Sequence, residues 1–300
     1  MDTLLSREGE STLSNRTHAL LSASAAHRWM NCPPSALACD AVEEAPSPYA
    51  DEGTLAHAIC ERKLVEKYGL PFTDAQRAEL AADMERLKAR YAPEMEAYTD
   101  AYVDYVAQVM ERCSDREPRI FVELRVDYSA YAPGGFGTAD CVIADSRTLH
   151  IIDFKYGKGV WVDPRDNPQL KLYALGAYDA LEYAYSFEAA ALHIVQPRIG
   201  GPRMWGVGID ALLRWGERMV RPLATLAAHG NGWRRAGDWC RFCKVKGGCR
   251  AYARMEAERE GTAAACLDCL YRQGGAEPRR RTVAEELAEI ELIDELGIGN

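Results

Sequence analysis

Asp140, Asp153 and Lys155 are the residues of this chain whose types and spacing could do chemistry. They lie in a run that reads Gly137-Thr-Ala-Asp140, then Ile151-Ile-Asp153-Phe-Lys155, then Gln169-Leu-Lys-Leu-Tyr173. Two carboxylates and a lysine sit in apolar, strand-like segments, where charge is costly unless something pairs with it. A divalent metal holding a phosphodiester accounts for all three. Oxygen donors suit Mg²⁺ or Mn²⁺, the ion acidifies a bound water and polarises the phosphoryl oxygen, and an ammonium stabilises the charge that develops.

Strand arithmetic sharpens the point. The segments around Asp140 and Asp153 flank a turn at Asp145-Ser-Arg-Thr148. A hairpin centred between Ser146 and Arg147 pairs residues whose numbers sum to 293, so Asp145 faces Thr148 and Asp140 faces Asp153. Opposed residues point to one side with Cβ atoms about 4.5–5.5 Å apart, and two like charges so placed repel unless a cation is shared. Lys155, two residues after Asp153, projects to the same face, and Phe154 to the other. In the competing reading both aspartates end their strands and reach solvent, with Lys155 as an ion-pair partner. Gln169 and Tyr173 share a helix face, either an ordinary half-buried one or a polar pair reaching a DNA strand.

The surrounding elements follow from periodicity. Ser22 or Ser24 caps a helix that runs to Asn31 and stops at Cys32-Pro33-Pro34. Glu52-Gly53-Thr54 opens a second helix with His57 and Glu61 one turn apart. Residues 74–113 read as one or two helices with Pro93 as a break. Strands follow at Arg119–Tyr128, Thr138–Ala144 and Leu149–Phe154, then a helix from Gln169 to Leu181, strands at Ala190–Gln196 and Met204–Ile209, and a helix from Ile209 to Ala228. Further helices are predicted at Tyr252–Glu260 and Thr282–Leu296. The order implies an α/β protein in four parts: a loose N-terminus (1–20), a helical part (21–118), a sheet-bearing core (119–230) and a small cysteine-bearing lobe with a helical tail (231–300).

Composition bounds the setting. The 300 residues carry a formal net charge of −9, which argues against a wholly basic nucleic-acid binder. The charge is uneven: Arg234 to Arg254 holds seven basic residues against one acid, Asp238, while acids collect at Glu94–Asp104 and Glu285–Glu295. No apolar run approaches the roughly 20 residues of a membrane span, and the polar start lacks a signal-peptide core, which predicts a cytoplasmic protein. In that compartment the ten cysteines are thiols or metal ligands rather than disulfides.

With these residues assembled, the chain resembles the RecB-like branch of the PD-(D/E)XK nuclease superfamily, and within it the RecB-type nucleases encoded by bacteriophages and prophages. Gly53-Thr-Leu-Ala-His57 is similar to the family's first motif, Gly137-Thr-Ala-Asp140 to its second, Asp153-Phe-Lys155 to its third and Gln169-x3-Tyr173 to its Gln-x3-Tyr signature. The third motif carries Asp where many relatives carry Glu. The resemblance implies a restriction-endonuclease-like mixed sheet flanked by helices. It implies metal ligation by His57, Asp140, Asp153 and the Phe154 carbonyl, catalysis by Asp140, Asp153 and Lys155, and DNA contacts from Gln169 and Tyr173. Glu61 and Glu123 are nearby acids that the motifs do not place.

Cys240-x2-Cys243-x5-Cys249 adjoins the basic stretch, and a Cys-x2-Cys turn can present two thiolates to one metal or cluster. Cys32, far upstream, is the candidate fourth ligand. One early and three late cysteines bracketing the nuclease motifs resemble the iron–sulfur staple of AddB-type and CRISPR-associated exonucleases, which implies a [4Fe-4S] cluster; spacing alone also permits zinc. Cys266-x2-Cys269 reads as packed small apolar residues or, if it replaces Cys32, as part of a zinc knuckle. Cys39, Cys60, Cys113 and Cys141 read as buried thiols. The expected function is a metal-dependent exonuclease acting on single-stranded DNA or DNA ends, with a helicase or recombination partner. The alternatives are a structure-specific endonuclease or nickase using the same site, and a non-catalytic, zinc-stapled nucleic-acid-binding protein.

Overall fold

The computed structural model describes residues 19–43, 47–114 and 118–260. The expected helix at Thr282–Leu296, the acidic tail, Cys266-x2-Cys269 and most of the loose N-terminus lie outside the described residues.

A helical part comes first. A short 3₁₀ turn leads into α1 (Ala26–Asn31), which ends at Cys32 before Pro33. The Ser22 and Ser24 side chains do not cap it. Instead Trp29 is fully buried and anchors the turn through its indole N–H on the Ser22 carbonyl at 3.0 Å. The proline pair does not end helical structure, because Pro34 serves as the N-cap of α2 (Ser35–Asp40). α3 (Pro48–Tyr68) begins four residues before the expected Glu52: Pro48 occupies its first turn, where a missing N–H costs nothing, and Gly69 closes it at φ 58°. α4 (Asp74–Leu87) opens on a Thr73/Gln76 capping box, and Pro93 breaks it from α5 (Glu94–Arg112) as expected.

The sheet has five strands in the order β1 (Arg119–Asp127), β2 (Phe136–Ala144), β3 (Thr148–Phe154), β4 (Ala189–Gln196), β5 (Gly201–Gly208). β3 and β4 run parallel, joined over α6 (Pro168–Leu181), and every other pair is antiparallel. β5 starts three residues before the expected Met204. Gly201 takes φ 73° out of the preceding turn, and Pro202 is tolerated on an edge strand. The helical run after it is continuous, as α7 (Ile209–Trp215), a π-helical turn at Gly216–Val220 and α8 (Arg221–Ala228). α9 (Arg250–Arg259) follows the cysteine segment.

Two apolar layers sandwich the sheet. Val142, Ala144, Leu149, Ile151, Leu192 and Ile194 pack against α1, α6, α7 and α8. Cys141, Ile143, Ile152, Phe154 and Val195 pack against α3, α4 and α5. The central strands are therefore covered on both faces, and this is why they read as near-continuous apolar runs. None of the described helices is long and apolar enough to cross a membrane.

Candidate metal-dependent active site

The hairpin register is the one the sequence predicts. Cys141 pairs with Ile152 and Ala144 with Leu149, each pair summing to 293. The ladder stops one pair short of Asp140 and Asp153. Past it, the Phe154 amide donates to Oδ2 of Asp140 at 2.7 Å, so a side chain takes over from the backbone. The neighbouring ladder is interrupted at the same level. Val122 pairs with Cys141 and Leu124 with Ala139, and between them Glu123, opposite Asp140, adopts φ 49°. A non-glycine residue in that region is uncommon and costly, and here it turns a third carboxylate toward the strand ends.

α3 supplies the histidine. Nδ1 of His57 lies 2.8 Å from the Gly53 carbonyl, and Nε2 lies 3.0 Å from the Phe154 carbonyl and 3.3 Å from Oδ2 of Asp140. Carbonyl oxygens only accept, so in these two contacts both ring nitrogens carry protons. The same geometry converges three donor atoms, Nε2 of His57, Oδ2 of Asp140 and the Phe154 oxygen, on one point.

Asp153 lies beside this cluster. Its side chain is 2% exposed and that of Asp140 16%, which removes the reading in which both reach solvent. Nζ of Lys155 is 3.0 Å from Oδ2 of Asp153 and 3.2 Å from Oδ1. Only the second contact is aligned as a hydrogen bond, so buried Oδ2 is ion-paired yet has no hydrogen-bond donor. Gln169 spans the pair, accepting from Lys155 at 3.1 Å and donating to Oδ1 of Asp153 at 3.1 Å. Asn167 fixes Gln169 in turn, capping α6 by accepting from the Gln169 and Leu170 amides, with Pro168 preset at the first turn.

Tyr173 differs from its expected placement. It is 7% exposed, its hydroxyl lies 3.3 Å from Nε2 of Gln169, and its ring leaves no room for a Cβ on Gly137, which would come within 2.8 Å of Cε1. Tyr173 thus braces Gln169, and the half-buried Gln169 holds Asp153 and Lys155.

The charges are mutually adjusted. Burial pulls the His57 pKa down, but the adjacent Asp140 carboxylate overrides it and raises the ring to about 10. Burial opposes ionisation of Asp140, yet His57, Lys155 and the Phe154 amide hold its pKa below the ordinary value. Burial raises Asp153 to about 6 against the pull of Lys155. Glu123 is raised to about 8 by burial and then by the Asp140 charge. The Glu61 pKa is raised by burial and by Glu79 and Asp83, and its charge in turn acts on Glu123.

The three closely set carboxylates are balanced here by the protons on His57 and Glu123 and by the Lys155 ammonium; a hard divalent cation could take the place of those protons, with the donor-free oxygen of Asp153 and the Phe154 carbonyl beside it. Among the described residues, His57, Asp140 and Asp153 do not bring three ligand atoms within 4.8 Å of one another; Cys113, Asp145 and His150 do. Asp153 is thus held by Lys155 and Gln169 at the flank of the His57–Asp140–Phe154 cluster. The sequence marks Glu123 as a nearby acid that no motif places, because alternation shows it only as one polar position of β1; the reversed backbone that brings it to the site has no periodic signal.

Cys32, Cys240, Cys243 and Cys249 line one cavity, with Arg28, Arg234, Arg235 and Lys246 around it. Burial raises the Cys32 thiol, and the nearby Cys240 and Cys249 sulfurs push it further. Cys39 adds a fifth thiol, 3.7 Å from Cys243. A tetrahedral zinc with bonds of about 2.3 Å sets sulfurs about 3.8 Å apart, whereas no three of these described sulfurs lie within 4.8 Å of one another. The cationic rim suits an anionic group held by thiolates. Of the other expected buried thiols, Cys60 and Cys141 are buried and Cys113 is half-buried.

A family model described as "Protein of unknown function (DUF2800)" matches residues 18–290. Among solved structures, the crystal structure of SSO0001 is similar over 76% of this chain and 96% of that one, at 14% sequence identity and a TM-score of 0.30; so loose a likeness carries no argument here.

Proposed function

The chain belongs to the DUF2800 family, and for it we propose a metal-dependent deoxyribonuclease, an exonuclease that hydrolyses phosphodiester bonds in single-stranded DNA or at DNA ends. The observation that carries this reading is the convergence of His57 Nε2, Asp140 Oδ2 and the Phe154 carbonyl beside the Asp153–Lys155–Gln169 set. His57, Asp140, Asp153 and the Phe154 carbonyl would hold Mg²⁺ or Mn²⁺. When bound, the ion supplies an acidified water and polarises the phosphoryl oxygen.

The chain's own groups do the rest. Lys155 has its pKa raised by Asp153 and Asp140 despite burial, so its ammonium stays charged. It stabilises charge developing on the phosphoryl oxygens and does not act as a base. Gln169 fixes the ammonium, and Tyr173 fixes Gln169. The Cys32, Cys240, Cys243 and Cys249 cavity would hold a [4Fe-4S] cluster that pins the C-terminal segment against α1 and α2. Its basic rim offers DNA a positive surface that the whole chain, at −9, does not.

The test is cleavage of end-labelled single- and double-stranded DNA with Mg²⁺ or Mn²⁺, against circular DNA as a control for endonuclease or nickase action. Wild type should shorten linear substrates and stop on chelation, while Asp153→Ala and Lys155→Ala should lose cleavage and keep DNA binding. Cleavage retained by either folded variant would overturn the assignment. DNA binding without cleavage by the metal-loaded wild type would favour a non-catalytic role.

A further inference from the structure

A second constellation lies at the opposite end of the same hairpin. Cys113 caps the C-terminus of α5, Asp145 follows β2 at the turn, and His150 lies within β3. One ligand atom from each falls within 4.8 Å of the other two. Asp145 is five residues along β2 from Asp140, a separation of about 16 Å at 3.2–3.4 Å per residue, so this group is not part of the site described above.

Supporting contacts hold each donor in place. The Asp145 carboxylate accepts from the Ser114 amide at 3.0 Å, the Ser114 hydroxyl at 2.9 and 3.0 Å, and the Ser146 amide at 2.9 Å. His150 Nδ1 lies 3.2 Å from Nε2 of His193, whose Nδ1 lies 2.9 Å from the Tyr105 hydroxyl, so the ring is braced from β4 and α5. The Cys113 thiol donates to the Val109 carbonyl at 3.3 Å. Burial lowers the pKa of His150 and takes His193 to about 3, leaving neutral imidazoles. Asp145 is buried while Cys113 and His150 are half-buried, which leaves an approach from solvent.

We propose that Cys113, Asp145 and His150 bind a Zn²⁺-class ion, with His193 and Tyr105 orienting the histidine. A sulfur, a nitrogen and an oxygen donor select a borderline-soft metal over Mg²⁺ or Ca²⁺. Tetrahedral zinc needs ligand atoms about 3.3–3.8 Å apart, within reach of the observed grouping by small side-chain rotations. Carboxylates and imidazoles held from behind are the usual support of such sites. Three protein ligands leave a fourth position for water or a small ligand. The ion would clip the end of α5 to the β2–β3 turn and to β3, three elements otherwise joined there by hydrogen bonds and packing.

The test uses the full chain, with Zn²⁺ alone and with Co²⁺ as a spectroscopic stand-in. Equilibrium dialysis should give one fewer tightly bound Zn²⁺ per chain for Cys113→Ser and for His150→Gln than for wild type. His150→Cys, which restores a donor, should recover it. Cys113→Ser is nearly isosteric at a half-buried helix end, so it serves if His150→Gln fails to fold. With Co²⁺, the near-ultraviolet thiolate charge-transfer band should be weaker in folded Cys113→Ser than in wild type. An unchanged zinc count and an unchanged cobalt spectrum in folded Cys113→Ser would overturn the proposal. Because neither readout depends on DNA cleavage, failure here and failure of the nuclease reading are distinguishable.

Discussion

The Phe154 amide donates to the Asp140 carboxylate at 2.7 Å, and the Phe154 carbonyl lies 3.0 Å from His57. The residue between the two motif positions Asp153 and Lys155 thus ties both neighbouring groups of the site through its backbone alone, while its ring is buried under Tyr102 with centroids 4.9 Å apart. Movement of β3 would displace a carboxylate and a histidine together.

Metal uptake will release protons. Without metal, His57 is charged up to about pH 10 because Asp140 overrides the effect of burial. A ligand nitrogen must be deprotonated, so Mn²⁺ affinity should rise with pH toward 10 and fall below it. Calorimetry at pH 7.5 in two buffers of different ionisation heat should report at least one proton released per ion. Buffer-independent heats would remove His57 from the ligand set. In Asp140→Asn burial is opposed only by the Gly53 carbonyl and Glu123, and the ring should titrate well below 10.

Glu123 burdens the metal-free fold at alkaline pH. Its folded pKa, about 8, lies above the ordinary 4.5. The corresponding stability is fully present below pH 4.5 and is lost as pH rises through 8. Each unit of displacement is worth about 1.4 kcal/mol, and relaxation of the coupled neighbours brings the expected effect to about 1–2 kcal/mol. Urea unfolding with chelator should therefore find Glu123→Gln more stable than wild type at pH 9 and equal to it at pH 4.5. Equal stability at both would show that the carboxylate is not crowded.

Gln169 works through Lys155. Removing the amide in Gln169→Ala leaves the ammonium tethered by Asp153 alone, and misplacement by about 1 Å costs on the order of 100-fold in rate. Cleavage should fall by about that factor while DNA affinity stays within a few-fold. A loss of affinity as large as the loss of rate would instead assign Gln169 to DNA binding. Asn167→Ala, which removes the cap, should show a smaller loss of the same kind and cost about 1 kcal/mol of stability.

Four cysteines line the cavity, and Cys39 touches one of them from behind. Cys243→Ala should abolish bound iron and the brown colour of anaerobically purified protein. Cys39→Ala, despite its 3.7 Å contact with Cys243, should keep both. Iron lost from Cys39→Ala as well would make it a ligand, and a colourless wild type with stoichiometric zinc would replace the cluster.

Much of this site was legible before any coordinates. The sum of 293 holds because a tight turn between two apolar segments allows few registers, and a one-residue slip would swap the strand residues between the two layers, taking Val142 and Ile151 out of the one they pack in. What stayed hidden depends on contacts remote in sequence. Glu123 shows itself only through its backbone angle. Tyr173 looks like half of an exposed pair until Gly137 is seen beneath its ring. Cys113, Asp145 and His150 share no motif spacing, because their proximity arises from where α5 ends over a hairpin turn. Pro48 and Gly201-Pro202 misled the boundaries because they look like breakers, yet they fit a first helical turn and a sheet edge.

The cavity lined by Cys32 and Cys249 also fixes an order of events during synthesis. Ribosomes that add about 5–20 residues per second leave roughly 10–40 s between the emergence of the first of these cysteines and the last. The early thiol must wait in a nascent chain while the whole sheet is being made. A prematurely ended product would own every motif residue from His57 to Tyr173 and still lack the pocket's far wall. The pocket therefore closes only after translation has passed Cys249 and Tyr252.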